Sequence, residues 1–123
     1  MAKEYFDRLN VLLQRATSDK FDDVDLQCKH FFSGAAVYVD GKICMSLTPV
    51  GFAVKLPEKS RLALLKQTGT KPLRYFPKSP IKKEYVILPE DMLKDTKTLR
   101  HWVSVSIEYV LTLAKPVRKG RKR

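Results

Sequence analysis

Apolar and polar positions change period several times along the chain, and each change marks an element. Over residues 3–16, Tyr5, Leu9, Leu12, Leu13 and Ala16 recur at helical spacing and predict an amphipathic helix. After the polar stretch "SDKFDDVD", the run "LQCKHFF" (26–32) reads as a strand that leads through Ser33 and Gly34 into "AAVYVDGKICMSL" (35–47). There Asp40-Gly41 sits between two apolar runs. A two-residue type I′ turn needs positive φ at both central positions, which Asp tolerates and Gly adopts freely, so a tight hairpin is predicted. Its register would set Val39 opposite Lys42, Tyr38 opposite Ile43, Val37 opposite Cys44 and Ala36 opposite Met45. Alternation then gives one face to Ala36, Tyr38, Ile43, Met45 and Leu47, the expected core set. Val37, Val39, Lys42, Cys44 and Ser46 take the other face.

Beyond Leu47, "TPVG" (48–51) has Pro at the second and Gly at the fourth turn position, as a type I turn prefers. "FAVKL" (52–56) follows as a strand with Phe52, Val54 and Leu56 on one face. Pro57 can open a helix, for which Leu62, Ala63 and Leu65 supply an apolar face and Gly69 a stop. "PLRYF" (72–76) and "EYVILP" (84–89) read as two further strands. "PEDMLKD" reads as a short helical turn, and Asp95 as the cap of a last helix. Along that helix Leu99, Val103, Ile107, Val110, Leu111 and Ala114 keep helical spacing beside Trp102, until Pro116 discourages continuation. The order α-β-β-β-β-α-β-β-α predicts an α+β domain over residues 1–114, a mostly antiparallel sheet with helices on one face. Residues 115–123 form a basic tail that is expected to be disordered.

Charge adds what periodicity does not carry. The chain of 123 residues has 24 Lys+Arg against 13 Asp+Glu, a net +11. Two runs concentrate it and contain no acid. One is the segment 71–83, with Lys71, Arg74, Lys78, Lys82 and Lys83; the other is the tail, with Lys115, Arg118, Lys119, Arg121, Lys122 and Arg123. Such runs attract polyanions by screened Coulomb forces and counterion release, so these eleven side chains are the candidate contacts to nucleic acid or to an acidic protein. Tyr75 and Phe76 border the first run and could stack on bases. A solvated, solubilising role for the same lysines is the alternative.

Catalytic signals are sparse. Cys28 and His30 share a strand face, yet a zinc site needs three or four ligands, and the only other histidine, His101, lies in the last helix. Cys44 with His30 has no orienting acid. Asp22, Asp23 and Asp25 read as a solvated loop, Tyr38, Tyr75 and Tyr85 as core or rim, and there is no glycine-rich phosphate loop. No cofactor is expected. The two cysteines have no C-x-x-C spacing and read as free thiols of a reducing compartment. With no apolar run of membrane-spanning length, a cytoplasmic protein is expected. One further surface stands out. The hairpin register places Val37, Val39 and Cys44 on the side away from the helices, and Ala53 and Lys55 join them. That apolar patch with one lysine is a candidate interface for a homodimer or another partner.

The segments "KHFFSGAAVYVDGKICMSL", "FAVKLPEKSR", "KPLRYF" and "EYVILPEDMLKD" with "LRHWV" together resemble the N-terminal domain of the TfoX/Sxy competence regulators over residues 3–114. The family's Arg-Met-Phe-Gly-Gly-like segment falls on His30, Phe31, Phe32, Ser33 and Gly34 and is kept in part. Its strand lysine falls on Lys55, its Pro-Phe-x-Tyr segment on Pro72, Leu73, Arg74 and Tyr75, and its Tyr-x-x-x-Pro on Tyr85 and Pro89. The resemblance implies a two-layer fold, a bacterial cytoplasmic protein, and a link to transcriptional control of natural transformation without a known catalytic site. Full-length competence regulators carry a further helical domain; here a stand-alone N-terminal domain followed by the basic tail is expected. The expectation is a non-catalytic regulatory or interaction module; the alternative is a small enzyme with an unrecognised site.

Overall fold

The computed structural model describes residues 2–17, 21, 23–31, 34–67, 69–73 and 82–114, with only the backbone described at Ala2, Phe31, Lys82, Lys83 and Ala114. The elements are α1 (Ala2–Ala16), β1 (Leu26–Phe31), β2 (Gly34–Val39), β3 (Lys42–Thr48), β4 (Gly51–Lys55), α2 (Glu58–Leu65), β5 (Lys71–Leu73), β6 (Lys82–Leu88), α3 (Glu90–Lys94) and α4 (Thr96–Ala114). The predicted order holds, with α3 a distinct short helix where a helical turn was expected. The described strands form one six-stranded sheet in the order β1-β2-β3-β4-β6-β5, and every pairing is antiparallel.

The Asp-Gly turn forms as predicted: Asp40 has φ 50° and Gly41 φ 84°, the left-handed pair that a type I′ hairpin requires. Tyr38 pairs with Ile43 and Val39 with Lys42, also as predicted. Beyond that point the prediction fails. A bulge between Val37 and Tyr38 makes Cys44 the extra residue of β3, so Val37 pairs with Met45 and Ala36 with Ser46. Because side chains alternate with period two, a one-residue shift exchanges the faces of everything beyond it. Met45 and Leu47 do face the core with Phe52, Val54 and Leu56, but the residues of β2 that join them are Ala35, Val37 and Val39. Ala36 and Tyr38, expected in that core, lie on the opposite face.

The main core is closed by α1 and α4. From α1 come Leu9, Leu12 and Ala16; from α4 come Leu99, Trp102, Val103, Ile107 and Val110. Each fully buried Leu, Ile or Val is worth about 1.5–3 kcal/mol relative to an exposed one, so this layer supplies most of the gross stabilisation of the sheet. Asp95 caps α4 as its position predicted. Its carboxylate accepts a hydrogen bond from the Thr98 hydroxyl at 2.8 Å and one from the Lys97 N–H at 3.2 Å. The Thr98 bond is the main reason that this carboxyl sits below its ordinary range.

Arg15 ties the helices together in a way that periodicity could not show. Its guanidinium donates to the Leu93 carbonyl at 2.8 Å and to the Thr96 hydroxyl at 3.2 Å, while Arg100 Nε donates to the Arg15 carbonyl at 3.0 Å. The end of α1 is thereby fastened across the junction of α3 and α4. Arg8 adds a contact to Glu90 at 2.6 Å.

In α2 the apolar face differs from the expected one. Leu64 is buried in the main core, whereas Leu62 and Leu65 are exposed. The sequence "RLALL" offers two helical stripes, and the packing of Leu64 selects the one that periodicity passed over. Pro57 occupies the cap position just before the helix. Gly69, φ 91°, turns the chain toward β5 after α2 has ended at Leu65.

Candidate nucleic-acid interface

The candidate interface patch does not exist as one surface. Val37, Val39 and Cys44 are fully buried in the main core under the helices. Ala53 and Lys55 lie on the other face of the sheet, where Ala53 packs with Leu73 and Ile87 and is flanked by Val50 and Tyr85. The bulge at Cys44 is the physical reason, since it reverses which side of β2 meets the helices. The lysine also has local partners. Lys55 Nζ is 3.2 Å from Glu84 Oε1 and 5.8 Å from the centroid of the Tyr85 ring. Glu84 and Tyr85 come from β6, whose Tyr85 stands opposite Lys55 in the β4–β6 ladder. That charge therefore belongs to a cross-strand pair.

The basic segment 71–83 has a defined anchorage. Lys71 begins β5 at the outer edge of the sheet and is exposed. Lys82 and Lys83 begin β6. Leu73 pairs with Lys82, so the chain leaves β5 and re-enters β6 at adjacent points. Both ends of the run are thus held together at one edge. Arg74 and Lys78 fall between those ends and lie outside the described residues. So do Lys115, Arg118, Lys119, Arg121, Lys122 and Arg123 of the tail, and the expected strand residues Tyr75 and Phe76.

Elsewhere, several described basic residues have partners within the fold. Arg8 meets Glu90, Arg15 and Arg100 bind backbone carbonyls, and Lys29 lies 5.3 Å over the Tyr38 ring. Lys71, the one cation of the run 71–83 whose side chain is described, is exposed on β5, beside Pro72.

The cysteine chemistry can be read directly. Cys44 Sγ lies 3.1 Å from Ser106 Oγ, and that hydroxyl is 3.2 Å from the Cys44 carbonyl. Burial pushes the thiol up to about 12, against smaller lowering effects of the Ser106 bond and Lys55. A thiol so raised is protonated at neutral pH and is no nucleophile. Cys28 is half-buried, and burial raises its thiol as well. His30, on the same strand, stacks on Phe6 with ring centroids 4.8 Å apart. Among the described residues no group of three or more His, Cys, Asp or Glu could hold a metal ion.

The chain forms a small α+β domain with a one-sided helical core and a lysine-bearing sheet edge. The family model of the TfoX N-terminal domain matches residues 20–110, from before β1 to within α4. The chain belongs to that family. No curated protein and no solved structure matches it. Among the described residues, no helix is long and apolar enough to cross a membrane.

Proposed function

We propose that the protein is a non-catalytic regulatory module that binds nucleic acid electrostatically, through the β5–β6 edge and the basic tail. The observation that carries this reading is the pairing of Leu73 with Lys82. It anchors a segment of five cations and no acid at a single place on the sheet edge. Cations carried on a segment anchored in this way neutralise neighbouring phosphates and release their counterions, without needing a base-reading helix. Membership of the TfoX N-terminal family supports a regulatory role, on the resemblance to the competence regulators. The two free cysteines fit a reducing, cytoplasmic setting.

The test compares ligand classes. Duplex DNA, single-stranded DNA, RNA and a polyglutamate peptide are titrated into the full chain at two salt concentrations. The reading expects affinity for nucleic acid that falls steeply with salt and depends little on sequence. Binding to the acidic peptide alone would replace nucleic acid with an acidic protein partner. No binding to any polyanion at low salt would refute the proposal.

A further inference from the structure

The two edges of the sheet are finished differently. At one end β5 is three residues long and contains Pro72, which blunts it against pairing. At the other end β1 runs six residues, "LQCKHF", in unbroken register with β2 and without proline. The Asp40 N–H donates to the Asp25 carbonyl at 3.0 Å, which fixes the phase of the ladder. Backbone groups of Asp25, Gln27 and Lys29 therefore turn toward β2, and those of Leu26, Cys28 and His30 turn outward. Among the described residues nothing pairs with that outward edge, since β1 ends the strand order. Side chains that could guard it are drawn back over the sheet. Lys29 carries its ammonium inward onto the Tyr38 ring, and His30 lies on Phe6 of α1.

We propose that β1 pairs antiparallel with β1 of a second copy of this chain, centred on Cys28. A two-fold axis that keeps the helices of both copies on one side must bring residues of equal parity face to face. Centring on Lys29 would set two ammonium groups opposite each other. Centring on Gln27 would use fewer residues of the strand. Centring on Cys28 pairs Leu26 with His30 of the second copy and lets all three outward-facing residues exchange hydrogen bonds. It also sets Gln27 opposite Lys29 of the second copy. Gln27 already donates its amide to Asp25 Oδ1 at 3.2 Å, which leaves its carbonyl oxygen to accept from that lysine once the ammonium swings off the Tyr38 ring, with the Asp25 carboxylate on the diagonal. The strand is in this sense complementary to itself. The proposal does not rest on polyanion binding.

The test uses the full chain and two substitutions at exposed Gln27, followed by sedimentation equilibrium from micromolar to millimolar protein. Gln27→Glu puts a carboxylate opposite Lys29 of the second copy, and Gln27→Lys puts a like charge there. Each change acts twice across the axis, so the dimer dissociation constant should fall roughly fivefold for the first and rise by a similar factor for the second. Thermal melts followed by circular dichroism should stay near wild type for both. Hydrogen exchange should show the amides of Leu26, Cys28 and His30 slowing as concentration rises. A wild-type chain that remains monomeric at millimolar concentration overturns the proposal. So does a dimer that is indifferent to both substitutions, or one that leaves those three amides unprotected.

Discussion

Val39→Glu separates the observed face assignment from the one that strict alternation predicts. Val39 is 0% exposed and packs in the main core beneath the helices. Removing its side chain from that site costs roughly 2 kcal/mol of apolar burial. The introduced carboxyl adds an electrostatic cost. A fully buried glutamic acid can have its pKa raised to about 8–9, so at pH 7 it is held neutral at a cost set by the distance from its ordinary value near 4.3, about 3.7 kcal/mol. Together these approach 6 kcal/mol, against a total stability of about 5–15 kcal/mol for a domain of this kind. The sign with pH follows from the raised folded pKa. Below the unfolded value near 4.3 the electrostatic cost is absent, and it grows by about 1.4 kcal/mol per pH unit up to the folded value. Val39→Gln, of the same shape and never ionised, isolates that part. Urea unfolding of both variants should show the glutamate variant less stable by about 3–4 kcal/mol at pH 7 and by only about 1 kcal/mol at pH 5. A glutamate variant with the wild-type midpoint at pH 7, or one equal to the glutamine variant at both pH values, would refute the burial of this face.

Two other perturbations probe neighbouring features. A Cβ on Gly34 would stand 2.1 Å from the Leu47 carbonyl oxygen and 2.9 Å from Thr48 Cα, both backbone atoms of β3, so Gly34→Ala should force β2 and β3 apart and cost about 3 kcal/mol or more in chemical denaturation. In a thiol assay on the folded protein near pH 8, Cys28 should react and Cys44 should not. An unfolded thiol releases its proton near 9.0, while Cys44 in the fold holds its proton to about 12, so stability should fall by about 1.4 kcal/mol per pH unit across that interval. Cys44→Ala should remove this component of the slope, and an unchanged slope would show that the thiol is not buried as described.

Local chemistry made much of this fold legible. The Asp40-Gly41 turn, the Asp95 cap, the stripes of α1 and α4 and the pairing nearest the turn all follow from residues within a few positions of each other. The bulge does not, because "KICMSL" alternates equally well with or without an extra residue at Cys44. Only the docking of α1 and α4 on Val37 and Val39 decides the matter. In the same way "RLALL" leaves the buried leucine of α2 open until Leu64 meets the sheet. The charge of segment 71–83 can be read from the sequence alone, but its anchorage cannot, since Leu73 and Lys82 are brought together by a pairing between strands. Lys55 illustrates the converse: a lysine that the sequence offers as an interface group is paired with Glu84 once β4 and β6 are adjacent.

The basic edge is tested most directly by the salt dependence of duplex DNA binding. The wild type would be compared with a variant in which Lys71, Arg74, Lys78, Lys82 and Lys83 are all replaced by Gln, with the tail left intact. Each phosphate contact contributes about 0.9 to the slope of log affinity against log salt concentration, so loss of this edge should flatten the slope by roughly 2–4 while thermal stability stays near that of the wild type. An equal affinity and an equal slope for the two proteins would contradict a nucleic-acid interface at the β5–β6 edge.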